Sequence, residues 1–196
     1  MAYSDYKKDL LADEFGGPLI EYVLDRYYHS GHSAVFTGAV AAVEPKFRRD
    51  LANQIASALQ VQCHPLQVFF CGSAHLGFSP VPNKLGKPFN SETSDIDVAV
   101  ISPEIFDQWR NELLAADLLD SARARVAENL FWGFINPASV HDATAFGKSW
   151  WKLFGDLQTE RAKSVRGRIY RSHWFMQNYH RHAIVRCRDV LMGKRV

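Results

Sequence analysis

The sequence predicts an α/β (α+β) protein, a small mixed β-sheet packed by helices, with helical segments before and after it. Three observations carry that expectation. Leu66 to Cys71 is an apolar run broken only by Gln67, and it stops at Gly72, as a buried strand does. Asp95 to Ile101 begins with alternation and then becomes continuously apolar, the pattern of a strand entering a core. Elsewhere apolar residues recur at helical spacing, most clearly Phe47, Leu51, Ile55 and Leu59, with Arg48, Arg49, Asp50 and Asn53 on the opposite side.

Taken in order, Ser4 to about Phe15 reads as a short helix ended by Gly16-Gly17. Pro18 suits the first turn of a second helix, where its missing N–H costs nothing, and Ile20, Val23, Leu24 and Tyr27 give that helix an apolar face. Pro45 opens the clearest helix, and the first strand follows Cys63-His64-Pro65. Gly77 to Ser94, rich in Gly, Pro, Asn and Ser, reads as a loop long enough to be functional or mobile. After the second strand, Ser102-Pro103-Glu104 is a helix start: a hydroxyl cap, Pro at the first position and an acid near the positive dipole end. Ile105, Phe106, Trp109 and Leu113 continue it. Beyond Asn129 the pattern weakens. Trp150 to Leu157 predicts a helix, Val165 to Tyr170 fits either a strand or the start of the last helix, and Trp174 to Leu191 favours a helix. One domain over residues 1–196 is expected, with its core at about 45–130 and a basic, largely helical part at about 145–196.

Apolar residues make up 47% and charged residues 22% of the chain, the balance of a globular protein. No apolar run approaches the ~18 residues of a membrane span, and the N-terminus lacks a signal-peptide layout, so a cytoplasmic protein without membrane contact is expected. Three scattered cysteines, Cys63, Cys71 and Cys187, suggest neither a disulfide framework nor a thiolate zinc site. The net charge of +2 hides an asymmetry: from Arg161 onward ten Lys/Arg face one acid, while the preceding part holds 13 basic and 20 acidic residues. A basic end beside an acidic body points to an anionic partner, whether nucleotide, nucleic acid or the acidic body itself.

The chemistry-bearing unit is the first strand, Gly72-Ser73, the long loop, and a second strand opening Asp95-Ile96-Asp97. Gly72 has no Cβ, so a polyphosphate can approach its backbone, and Ser73 offers a hydroxyl where a helix would begin. Asp95 and Asp97 lie two apart on a strand and therefore share a face. Two ionised carboxylates on one face repel, and a divalent cation relieves that repulsion; Mg²⁺ takes one or two carboxylates plus phosphate oxygens.

Cys71-Gly72-Ser73 together with Ser94-Asp95-Ile96-Asp97-Val98 resembles the nucleotidyltransferase superfamily, the fold of polymerase-beta-like and minimal MNT-type proteins. The resemblance covers about Leu66 to Ile101. It implies that Gly72 and Ser73 bind the phosphates of an NTP, with ATP foremost. It also implies that Asp95 and Asp97 are catalytic and hold Mg²⁺ or Mn²⁺, and that an NMP group passes to a hydroxyl of an RNA end, a protein side chain or a small molecule. Two departures stand out. The spacer Ala74 to Ser94 has 21 residues, longer than the family's, so Lys84 and Lys87 are expected on a lid reaching the phosphates or on a partner-binding loop. The family's third carboxylate has no convincing counterpart: Asp142, Asp156 and Glu160 are the candidates, and the best late strand is basic. The alternative is therefore a catalytically silent module that binds nucleotide, nucleic acid or protein. Arg166, Arg168 and Arg171 form a candidate clamp for phosphate or nucleic acid.

Overall fold

A computed structural model describes residues 2–12, 17–29, 31, 33–64, 66–157 and 161–194. The expected extension of the first helix to Phe15 and the candidate acid Glu160 lie outside the described residues. Eight α-helices surround a four-stranded mixed sheet among the described residues: α1 (Tyr3–Leu11), α2 (Gly17–Val23), α3 (Glu44–Leu59), β1 (Gln67–Cys71), α4 (Gly72–Leu76), β2 (Asp95–Ile101), α5 (Pro103–Ala115), α6 (Asp120–Phe131), β3 (Phe134–Ile135), α7 (Ala145–Asp156), β4 (Ser164–Tyr170) and α8 (His173–Leu191). α2 runs on as π-helical turns over Leu24–His29.

The strand order is β1-β2-β4-β3. β1 runs antiparallel to β2, with Cys71 opposite Asp97. β2 runs parallel to β4, from Asp95 opposite Ser164 to Ile101 opposite Tyr170, and β3 closes the far side of β4 only at Ile169 and Tyr170. A parallel pair needs a long crossover, and residues 102–163, carrying α5, α6, β3 and α7, supply it.

Strand alternation divides the sheet into two unlike faces. Val68, Phe70, Ile96, Val98, Val100 and Ile169 point into the main core, against α3, α5 and α7. Trp109, Trp150 and Phe154 fill that core, with Trp150 and Phe154 rings 4.6 Å apart. On the opposite face Ala99, Ile101, Phe134 and Tyr170 pack against Met176 of α8. A third cluster joins Tyr6, Leu10, Val23 and Tyr27 of the N-terminal helices to Phe78 and to Ile184 and Cys187 of α8.

Local chemistry sets the helix starts as expected at α5, where Ser102 Oγ accepts from the Ile105 N–H at 3.2 Å. Thr144 caps α7 in the same way, accepting from the Gly147 N–H at 3.0 Å. Of the two expectations for residues 165–170, the strand is correct. α6 and β3 are elements that the sequence pattern did not announce. The long spacer is folded: Ser79 N–H donates to Lys87 O at 2.8 Å, Phe89 N–H to Gly77 O at 2.9 Å, and Phe78 is buried against Tyr6. No helix among the described residues is long and apolar enough to cross a membrane.

Candidate functional site

The sheet register places the expected motif at one point. β1 ends at Cys71 opposite Asp97, so the turn that follows lies beside the start of β2. Gly72 takes a left-handed conformation, φ 59°, and begins the short α4. A Cβ at Gly72 would stand 3.2 Å from Asp97 Oδ2. The acid and the small-residue turn therefore face one another without an intervening side chain. Ser73 is half-buried beside them.

The two acids differ in their surroundings. Both oxygens of Asp95 are taken: Oδ1 accepts from Ser164 Oγ at 2.6 Å, and Oδ2 pairs with Arg166 Nε at 3.0 Å. Asp97 is solvent-exposed and has no hydrogen-bond or ion-pair partner among the described residues. Its carboxyl is nevertheless raised above the ordinary range, first by the protein packed around the cleft and then by the charge of Asp95, with Arg168 and Arg166 opposing. Cys71, at the end of β1, is pushed up to about 12 by burial and by Asp97, so it stays a thiol rather than a nucleophile.

Asp97 and Gly72 open onto a cleft of about 610 Å³, within the ordinary size range of small-molecule pockets. Its floor is the sheet face carrying Asp97, Ala99, Arg166 and Arg168, and Tyr179, His182 and Arg186 of α8 form one wall. The cleft also passes the part of β4 that β3 leaves uncovered, reaching Trp150, Trp151 and Phe154. Pro80 to Pro82 of the spacer complete the rim.

Register also decides the place of the candidate clamp. Arg166 lies opposite Asp97 and Arg168 opposite Ala99, so both share the face of the acid pair. Arg171 does not join them. It follows the end of β4, pairs with Asp107 at 3.3 Å, and does not line the cleft. Lys84 and Lys87 are exposed on the spacer and do not line the cleft either, although their neighbours Pro80 to Pro82 do. Asp142 sits in the turn before α7 and Asp156 at the end of that helix; both are exposed and neither lines the cleft.

Ala183 and Arg186 of the α8 wall were missed from the sequence. Tyr179, His182, Ala183 and Arg186 recur at helical spacing, a signal present in the sequence but masked by the buried stripe Met176, His180, Ile184 and Cys187 beside it. Trp150 and Trp151 were seen as helix residues, without their place along the cleft.

A divalent cation is the group expected from the sequence at this acid pair. No cluster of three or more metal-ligating side chains exists among the described residues. Asp97 is free to bind, and Asp95 would join it once Arg166 lets go. Arg166 is 60% exposed and Asp95 23%, so the pair is open to solvent from the arginine side, where an incoming cation can replace it. These residues fit one Mg²⁺ or Mn²⁺ that arrives with a polyphosphate supplying the remaining oxygens. They do not supply a third carboxylate for a second metal.

Comparison with protein-family models, with curated proteins and with solved structures yields no match.

Proposed function

We propose that this chain is a nucleotidyltransferase-type protein that binds a nucleoside triphosphate, ATP foremost, with one Mg²⁺ or Mn²⁺ in the cleft where Asp97 faces Gly72. The approach of Gly72 to Asp97 is the observation that carries the proposal: a Cβ at the glycine would come within 3.2 Å of the carboxylate. Because no side chain stands at Gly72, its backbone is bare beside Asp97, so a phosphate and its cation lying in the cleft could meet backbone and acid together. Asp97, with Asp95, would hold the cation, which would neutralise phosphate charge. Gly72 and Ser73 would receive the phosphates.

The reaction such a cleft serves is transfer of an NMP group. An acceptor hydroxyl oxygen bonds to the α-phosphorus, the bond from that phosphorus to the bridging oxygen breaks, pyrophosphate leaves with the electron pair, and the hydroxyl proton passes to water. The acceptor is an RNA end, a protein side chain or a small molecule, and the protein works in the cytoplasm.

A second reading, a silent module that binds nucleotide without transferring it, is favoured by one observation. The β4 position opposite Asp97 is Arg166, a cation where a third carboxylate would stand on this face. Pyrophosphate release from Mg-ATP, measured beside binding, separates the two. Release that is abolished by Asp95→Ala identifies the transferase. Binding with no release identifies the silent module. The absence of both overturns the nucleotide reading altogether.

A further inference from the structure

Arg168 stands out from the other basic residues of the C-terminal part. It lies on the cleft face of β4, half-buried, with its guanidinium 4.7 Å from the Tyr179 ring centre and 5.2 Å from that of Phe134. Tyr170 and Tyr179 are its polar neighbours. No carboxylate lies within ion-pair distance of it among the described residues, whereas Arg166, Arg171 and Arg181 each have one. A desolvated cation without a counter-ion is costly, and aromatic faces offset only part of that cost. The polar partner that best completes it is an anion entering from the cleft.

The same wall supplies a second cation. Arg186, seven residues along α8 from Tyr179, lines the cleft, is exposed and has no acidic partner among the described residues. His182 stands between them in sequence, its ring stacked on Trp132 at 5.8 Å. Since Arg166 is engaged by Asp95, the uncommitted charges lining the cleft are two guanidinium groups, Arg168 and Arg186, and one carboxylate, Asp97. Arg168 lies two residues further along β4 than the position facing Asp97, so its site is displaced from the acid pair along the sheet. Two guanidinium groups match a dianion, and their planar forks suit phosphate oxygens.

We propose that Arg168, held against Tyr179, and Arg186 on the same helix wall of the cleft form a site for a phosphate monoester beside Asp97 and Gly72. It rests on the nucleotide reading only insofar as it makes this phosphate a feature of the acceptor: a phosphorylated small molecule or the phosphorylated end of a nucleic acid. The site would hold the acceptor in the cleft while its hydroxyl faces the nucleotide.

The test is the rise in melting temperature of the full chain with glycerol 2-phosphate at fixed ionic strength, since a ligand of the folded state stabilises it by mass action. The wild type and Arg171→Ala, a charge loss outside the cleft, should respond alike. Arg186→Ala, at an exposed position that leaves the fold intact, should weaken the apparent affinity about tenfold, as should Arg168→Lys, which keeps the charge but loses the fork. Asp97→Ala should keep the phosphate response while losing Mg-ATP, so failure of one site is distinguishable from failure of the other. A 5′-phosphorylated trinucleotide that outperforms glycerol 2-phosphate, while its 5′-hydroxyl counterpart does nothing, assigns the nucleic-acid source; equal responses to the two phosphates assign the small molecule. Unchanged affinity in both Arg186→Ala and Arg168→Lys, or an equal loss in Arg171→Ala, overturns the proposal.

Discussion

Gly72 combines two demands that no other residue type meets at once. Its backbone is left-handed, and its Cα faces Asp97 so closely that a Cβ would crowd the carboxylate. Gly72→Ala should cost about 1–2 kcal/mol of stability from the backbone alone, and it should weaken Mg-ATP binding more than that loss explains; equilibrium denaturation beside titration checks both. Two buried histidines give a second prediction at this scale. Burial holds His75 down to about 4 and His180 down to about 3, so both are neutral in the folded protein. The unfolded chain protonates them near 6.5 and therefore binds more protons below that pH. Their contribution is full above about pH 6.5 and is lost as pH falls toward 4, on the order of 1.4 kcal/mol per pH unit for each histidine. Denaturant titrations at pH 7, 6 and 5 should show that decline, and a flat profile would contradict it. Of the site residues, Gly72, Asp95 and Asp97 were legible because strand alternation and glycine's missing Cβ are local facts. The difference between the two acids was not. Asp95 is engaged by Ser164 and Arg166, whose nearness depends on a strand pairing that spans a long crossover.

β4 is the element on which the site turns, and its dual pattern explains why its type was hard to read. Val165, Gly167 and Ile169 face the main core while Arg166 and Arg168 face the cleft, but with a glycine in the middle of the inward series the alternation rests on Val165 and Ile169 alone and reads weakly in the sequence. Gly167 resolves a packing problem: a Cβ there would come within 2.3 Å of Phe154 and 2.6 Å of Trp150. Those rings are buried and cannot swing aside, so Gly167→Ala should destabilise by about 1–3 kcal/mol and disturb the aromatic arm of the cleft. Thermal melts and tryptophan fluorescence report the two effects; an unchanged melting temperature would contradict the packing argument. Two elements escaped the sequence for physical reasons. α6 buries only Val126 and exposes Phe131, so its apolar stripe is too thin to show periodicity. β3 is two residues long, below the length at which alternation exists. The spacer illustrates the opposite error. Its Gly-Pro-Asn content signals turns correctly, yet those turns belong to a folded unit, tied to α8 by the Cys187 thiol donating to Pro80 O at 2.7 Å.

At the scale of the molecule, the charge asymmetry of the sequence resolves into two uses. Arg181 pairs with Glu21 at 2.6 Å, linking α8 to α2, and Arg171 pairs with Asp107, so part of the basic end is matched by the acidic body. Arg168 and Arg186 instead line the cleft, and Arg166 does both, lining it while paired with Asp95. The mixed sheet between helices was legible because both long strands carry strong local patterns. The cleft was not, since its wall comes from α8, its floor from β2 and β4, and its rim from the spacer. The cleft that Gly72 and Asp97 line is proposed to hold a nucleotide with its cation. The most direct measurement is calorimetric titration of the full chain with ATP in the presence and absence of Mg²⁺, for the wild type, Asp97→Ala and the outlying Asp142→Ala. Binding that requires Mg²⁺, weakens about tenfold or more in Asp97→Ala and is unchanged in Asp142→Ala is the predicted result. No binding by the wild type, or equal binding by Asp97→Ala, would contradict the claim.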